Sequence, residues 1–446
     1  MKKIAVFAMA FMPMWVSAQT VRGDFDADGR VTVNDIAVLI NAYLDEGSGY
    51  QPQGEIEIPA VQDGKIRLTA AQQQYVSGAN AFSFNLFRAV AKQTEAGESM
   101  IMSPLSVIYA LGLVNNGASP AVSKEITRVL GFGAEGTREL NAFCANLIAN
   151  APLLDEEVTL GIANAFFLNS MKEYTLYDAF RTDMKNYYKA LVEELDFSQD
   201  ASLGHINAWA SEQTHGMIPS VLDKLYATAV AYILNALYFK GAWTYPFSPE
   251  CTWKDAFTKA DKSTTTVQMM NAHIDSIPYT AADSYSAIRL PYGNGAYSMT
   301  IVLPNNGKTL ADVEDVLAAD SFQQLQNAMT EEEVEIHLPK FESEADMPLV
   351  KIMASLGMPS AFSGAAFPYL CPEQDEIYIS NIFQKARIKV NEEGSEAAAV
   401  TVIEMREYSI PGNPPYKVFY AKRPFLYFIT ERSTGAIFFM GRYMGD

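Results

Sequence analysis

Cysteine and histidine are scarce in this chain, at three and four among 446 residues. Cys144, Cys251 and Cys371 are odd in number and widely spaced, so they indicate no disulfide framework or zinc site. Free thiols in a core held by packing are the expectation. The histidines are His205, His215, His273 and His337, and neither H-E-x-x-H nor G-x-S-x-G occurs. The signatures of common metalloproteases and hydrolases are therefore missing, and no catalytic residue is assigned. Positive charge is short as well: 33 Lys and Arg face 52 Asp and Glu, a net charge of -19. Nucleic acid and anionic membrane surfaces recruit the opposite sign, so neither is an expected partner. Beyond the N-terminus no run is apolar for long enough to span a bilayer.

What is present begins with Met1-Lys-Lys, an apolar run from Ile4 to Val16, and Ser17-Ala18. A basic start, an apolar middle and a small-residue exit read as a signal peptide over residues 1–18, too short for a comfortable membrane anchor. A secreted protein, periplasmic or extracellular, is the expectation. No Cys follows the run, which argues against a lipid anchor.

Residues 19–46 form a short acidic module, and 47–67 read as a linker, opening with Gly47-Ser-Gly-Tyr-Gln-Pro-Gln-Gly. Within the module, Asp24, Asp26, Asp28 and Asp35 fall at calcium-loop positions one, three, five and twelve. Gly29 stands where such a loop turns sharply, and Arg30 would lend its backbone carbonyl. An acidic turn without metal is the competing reading. One calcium loop followed by the apolar strip Ile36–Leu44 resembles a single dockerin repeat. Dockerins normally pair two repeats and no second one is found; Asp35 also replaces the longer Glu of an EF-hand. The resemblance implies calcium for this module alone and a cohesin-like partner.

From 68 to 446 helical and strand patterns alternate without a further break. Apolar residues recur on a helical period over 80–92 and 104–115. Strand-like runs cover Ala231–Phe239, Ser298–Leu303, Val334–Leu338, Ala386–Val390 and Ala436–Met440. One large α+β domain is expected. Its most unusual segment follows Val390: Asn391-Glu-Glu-Gly-Ser-Glu-Ala-Ala-Ala-Val-Thr-Val-Ile-Glu-Met405. Alternate residues of a strand face opposite ways. Ser395, Ala397, Ala399, Thr401, Ile403 and Met405 make one uncharged face. Glu396, Ala398, Val400, Val402, Glu404 and Arg406 make the other, which carries every charge. The segment is written to be buried as a strand.

This pattern resembles the hinge of the serpin family. Ser103-Pro-Leu-Ser106 opens an early helix as serpins do. Asn235-Ala-Leu-Tyr-Phe-Lys-Gly-Ala-Trp243 with Pro246-Phe247, Val267-Gln-Met-Met270, Leu290-Pro-Tyr292 and His337-Leu-Pro-Lys340 follow the family layout. Phe419-Tyr-Ala-Lys-Arg-Pro-Phe-Leu426 and the stretch from Gly435 to Gly441-Arg442 match its C-terminal signatures. The resemblance spans roughly 375 residues in order.

It implies three β-sheets, about nine helices and an exposed reactive loop, in a monomer that inhibits a serine protease without catalytic residues or cofactor. The protease attacks the loop, and the freed N-terminal half inserts as a new strand of the main sheet. The implied hinge is Glu392, Glu393, Gly394, Ser395, Glu396, Ala397, Ala398, Ala399 and Thr401. Ser103, Ser106, Asn235, Trp243, Lys340 and Gln384 are the implied breach and shutter residues. A family His is replaced by Gln384, which bonds without titrating. Glu392 and Lys340 are the implied breach ion pair. About fifteen positions on, counting Gly394, the attacked bond falls at Tyr408-Ser409, which suits a chymotrypsin-like protease. Met405 would serve an elastase-like enzyme and Arg406 a trypsin-like one. Two other functions compete: a non-inhibitory serpin-fold binding protein, and a cell-surface assembly component docked through its calcium module.

Overall fold

The helices begin where capping chemistry is ready. Thr69 accepts from the Gln72 amide while Gln72 returns a bond to the Thr69 backbone, and α1 (Ala70–Ala91) follows. The periodic run at 80–92 is only its buried half; the polar first turns owe their helicity to this capping box. Ser103 caps α2 (Pro104–Asn115), with Pro104 at a position that tolerates a missing N–H. Ten of the twelve residues of α2 are buried. A helix apolar all round needs cover on every side, and α2 has it, lying against strands of both sheets described below.

The computed structural model describes residues 56, 58–95, 97–133, 136–372, 376–395 and 415–445. The signal peptide, the acidic module with Asp24, Asp26, Asp28, Arg30 and Asp35, and most of the linker lie outside these residues. So do the loop positions Glu396, Ala397, Ala398, Ala399, Thr401, Tyr408 and Ser409. The chain divides into Met1–Glu57 and Ile58–Asp446. The end of the segment read as linker, from Ile58 to Arg67, belongs to the larger unit. Asn150 donates to the Pro59 carbonyl, and the buried Ile66 donates its N–H to Ser433.

Seven further helices complete the described set: α3 (Pro120–Val129), α4 (Thr137–Asn150), α5 (Asp178–Tyr188), α6 (Asp200–Gln213), α7 (Leu310–Val316), α8 (Ala319–Ala328) and α9 (Val350–Leu356). Fifteen strands alternate with them. They are β1 (Met100–Met102), β2 (Val158–Asn169), β3 (Leu191–Leu195), β4 (Ala231–Ala242), β5 (Thr252–Thr258), β6 (Thr264–Ala281), β7 (Tyr285–Tyr292) and β8 (Tyr297–Pro304). Then come β9 (Thr330–Pro339), β10 (Phe341–Pro348), β11 (Phe383–Val390), β12 (Gly394–Ser395), β13 (Lys417–Tyr420), β14 (Phe425–Glu431) and β15 (Ile437–Tyr443).

One sheet runs β1-β15-β14-β8-β7-β6-β9-β13 with β5 paired to β6; the other runs β10-β11-β12-β4-β2-β3. Three sheets were expected, and hydrogen bonding joins two of them because the 18-residue β6 is shared. Residues 264–270 of β6 pair with β5, 269–279 with β9 and 279–281 with β7. Between the two sheets, Phe239 packs on Tyr292 and Tyr297, and Tyr297 on Phe438, at 5.0–5.9 Å between ring centres. The three cysteines are free, Cys144 and Cys371 buried and Cys251 half-buried. Burial pushes the Cys144 thiol well up, so it stays protonated and inert.

Among the described residues the six-stranded sheet is interrupted, and β4 and β11 are linked only by the two residues of β12: Gly394 and Ser395 pair with Ala242 and Gly241, and Ser395 also with Val390. Toward Ala231 lies a cavity of about 560 Å³, walled by α2, β4 and residues 376–385.

Candidate functional site: the hinge and the gap beside it

A glycine lets β12 reach its seat. A Cβ on Gly394 would lie 2.0 Å from the Gly241 carbonyl oxygen and 2.9 Å from the Ala242 Cα. Only a residue without a side chain brings the two backbones this close. Ser395 then turns its side chain inward, fully buried, with its Oγ 2.6 Å from the Tyr292 hydroxyl. Burial pushes the Tyr292 phenol well up, so this is a bond between two neutral hydroxyls. Trp243 stacks on the Tyr292 ring at 4.4 Å and 12°.

The turn before β12 is bonded throughout. The Asn391 side chain accepts from the Glu393 and Gly394 amides, and its own N–H donates to the Gly394 carbonyl. Trp243 donates its indole N–H to the Asn391 carbonyl at 3.0 Å and its backbone N–H to the Glu393 carbonyl. Phe247 donates to the Glu392 carbonyl. The Glu392 carboxylate meets Lys340 Nζ at 2.8 Å and accepts from Thr252 at 2.9 Å. Burial alone would raise this carboxyl. Hydrogen bonds from Lys340, the backbone and Thr252 outweigh that and hold it below the ordinary Glu value.

The shutter candidates sit at the other end of the gap. Ser103 accepts from the Ser106 amide at 3.2 Å, and Gln384 donates its side-chain N–H to the Ser103 carbonyl. Asn235 donates to the Ala163 carbonyl and to Asn164 Oδ1, at 3.2 and 2.9 Å, across to β2. Ser106, Asn235 and Gln384 all line the cavity. The oxygens Gln384 Oε1 and Asn235 Oδ1 are buried and find no hydrogen-bond partner among the described residues. Sequence reading named the breach and shutter residues but not Tyr292, Thr252, Asn391 or Asn164 as part of the arrangement. Asn391 alone carried a signal, since Asn commonly closes a turn two residues on. Among the described residues His205, His273 and His337 each bond a glutamate and His215 packs on Tyr238.

Known proteins share this architecture. Residues 77–445 match the family model described as serpin, serine protease inhibitor. Neuroserpin of Gallus gallus is 31% identical over 358 residues, 78% of this chain and 86% of that protein. The leukocyte elastase inhibitor of Xenopus tropicalis is 32% identical over 387 residues, covering 82% of this chain and 98% of its own. Among solved structures, the thermophilic serpin tengpin in its native state superposes with a TM-score of 0.76 at 26% identity. That match covers 87% of this chain and 97% of tengpin. With the interrupted sheet and the seated hinge, these matches place the chain in the serpin family.

Proposed function

We propose that this protein inhibits a serine protease by inserting the segment after Gly394 into the gap between β4 and β11. The observation that carries the reading is the seat of Ser395, already paired to both strands with its side chain on the core side. Continued in the same register, the twelve residues of β4 take residues 394–405, with residue 405 reaching Ala231. Alternation then turns Ala397, Ala399, Thr401, Ile403 and Met405 inward with Ser395, and leaves Glu396, Glu404 and Arg406 on the solvent side. A new strand of this length, at a net ~1 kcal/mol per hydrogen bond, contributes on the order of 10 kcal/mol. One oxyanion-hole donor is worth about 3–4 kcal/mol to a protease, so insertion has energy enough to disable the attached enzyme.

The attacked bond in this reading is Tyr408-Ser409, three residues beyond the last that β4 accommodates. The protease serine oxygen bonds to the Tyr408 carbonyl carbon, the peptide bond to Ser409 breaks, and the Ser409 amine leaves with a proton. An acyl-enzyme ester remains on Tyr408. A large aromatic residue here suits a chymotrypsin-like protease, while an elastase-like one would cut after Met405 instead. The same proposal takes residues 1–18 as a signal for export. It also takes Asp24, Asp26, Asp28, Asp35 and the Arg30 carbonyl as a calcium loop that docks on a cohesin-like partner and plays no part in inhibition. Incubation with chymotrypsin, elastase and trypsin tests the central claim. An SDS-stable 1:1 complex and release of a peptide starting at Ser409 support it; clean cleavage without a complex, or no cleavage, points instead to a non-inhibitory binding protein.

A further inference from the structure

On β6 and β9, far in sequence from the hinge, His273, Asp275 and Glu333 offer one nitrogen and two carboxylate oxygens, all within 4.8 Å of one another. A bulge brings them together. His273 pairs with Glu335 and Ile274 with Val334, but the next pair is Ile277 with Glu332. Two residues of β6 therefore stand opposite Glu333, and Asp275 is one of them. His273 and Asp275, two apart on a strand, share a face. All three side chains are exposed, and His273 Nε2 lies 2.9 Å from Glu333 Oε1. Among the described residues no Lys or Arg forms an ion pair with Asp275 or Glu333, so two carboxylates stand close together beside an imidazole.

We propose that these three residues bind a borderline divalent cation, with zinc as the type. One imidazole with two carboxylates is a donor set for Zn²⁺ and its first-row neighbours rather than for calcium, which takes oxygen alone. Zinc bonds of about 2.0–2.2 Å require the donor atoms to close to roughly 3.4 Å. Side-chain torsions of exposed residues on a fixed backbone supply that movement. Three protein ligands leave a coordination position open. The site also adjoins the far end of the reactive loop: Tyr416, the residue before β13, packs its ring edge-on against His273 at 4.7 Å. A metal on His273 ties β6 to β9 beside the β9–β13 pairing that anchors the loop.

The test needs no protease, so it stands or falls apart from the inhibitory reading. Zinc chloride is titrated into the full chain by calorimetry, with excess calcium present to occupy any all-oxygen loop, and cobalt chloride is followed by its visible absorption. The expected result is one zinc per chain, a tetrahedral cobalt band, and a raised unfolding temperature. His273→Ala and Glu333→Gln should each weaken binding at least tenfold. His205→Ala, which removes an exposed histidine facing a single glutamate, should leave it unchanged. The proposal is overturned if wild type takes up no zinc, if His273→Ala binds as wild type does, or if His205→Ala removes the binding.

Discussion

The two ends of the gap between β4 and β11 are built differently. At the Gly394 end the strand has already entered, and the polar groups of Asn391, Glu392, Trp243 and Ser395 are bonded to one another or to Tyr292, Lys340 and Thr252. At the Ala231 end the oxygens of Gln384 and Asn235 are buried and have no hydrogen-bond partner among the described residues. Among the described residues one end is paired and bonded, and the other is where the proposed insertion would add its strand. In the proposed insertion, the register extended from Ser395 would set Thr401 opposite both Asn235 and Gln384 and bring a hydroxyl donor to their oxygens.

The sharpest way to break this contrast is to make the bonded end impossible to occupy. Ser395→Arg must bury a charge against Tyr292 as the strand enters, a strongly unfavourable step. The variant should be cleaved as a substrate, with the stoichiometry of inhibition rising more than tenfold; a stable complex at wild-type yield would refute the seat assigned to Ser395.

Next in size is Glu392→Lys. It sets two cations together where Lys340 and Glu392 now meet, and losing a partly buried pair in this way costs about 3 kcal/mol. The β12 end should loosen, and chains should add their loops to one another's sheets on mild heating. Size-exclusion chromatography that finds the same monomer fraction as wild type would remove the pair from the argument.

Acid weakens the same contact without a mutation. The Glu392 carboxyl lies below its ordinary value in the fold, so its stabilising contribution is full above the unfolded Glu value near 4.3. It is lost as pH falls through the lowered native value. Trp243 fluorescence should follow that loss in wild type and stay flatter in Glu392→Gln.

Smaller still is Thr401→Val, which keeps the shape of the inward face and removes its donor. Hinge seating should not change, while the stoichiometry of inhibition rises two- to threefold, the scale of one net hydrogen bond. The smallest expected effect is none. Removing calcium with a chelator, or by Asp24→Ala with Asp28→Ala, should leave the inhibition rate unaltered while calorimetry registers the loss of one calcium.

Much of the scaffold was legible in the chain. The bounds of α2 coincide with the helical period at 104–115, because Ser103 and Pro104 start the helix and an unbroken apolar run fills it. The strand read at 298–303 lies within β8, every residue of which is buried. What escaped was set by distant partners. The first turns of α1 are polar and carry no period. Tyr292 reads as one aromatic among many until Ser395, 103 residues away in sequence, meets its hydroxyl. The continuity of the large sheet depends on which strands β6 finds along its length, and periodicity is silent on pairing.

The alternation from Ser395 to Arg406 was settled by the sequence itself, since period two and residue chemistry divide the segment into an uncharged face and a charged one. Whether any sheet has room for such a strand was not. That β4 and β11 stand apart, and that Gly394 falls opposite Ala242, follows from pairings between segments about 150 residues apart. Local propensity carries no information about contacts at that range, and only the packed core brings those backbones together.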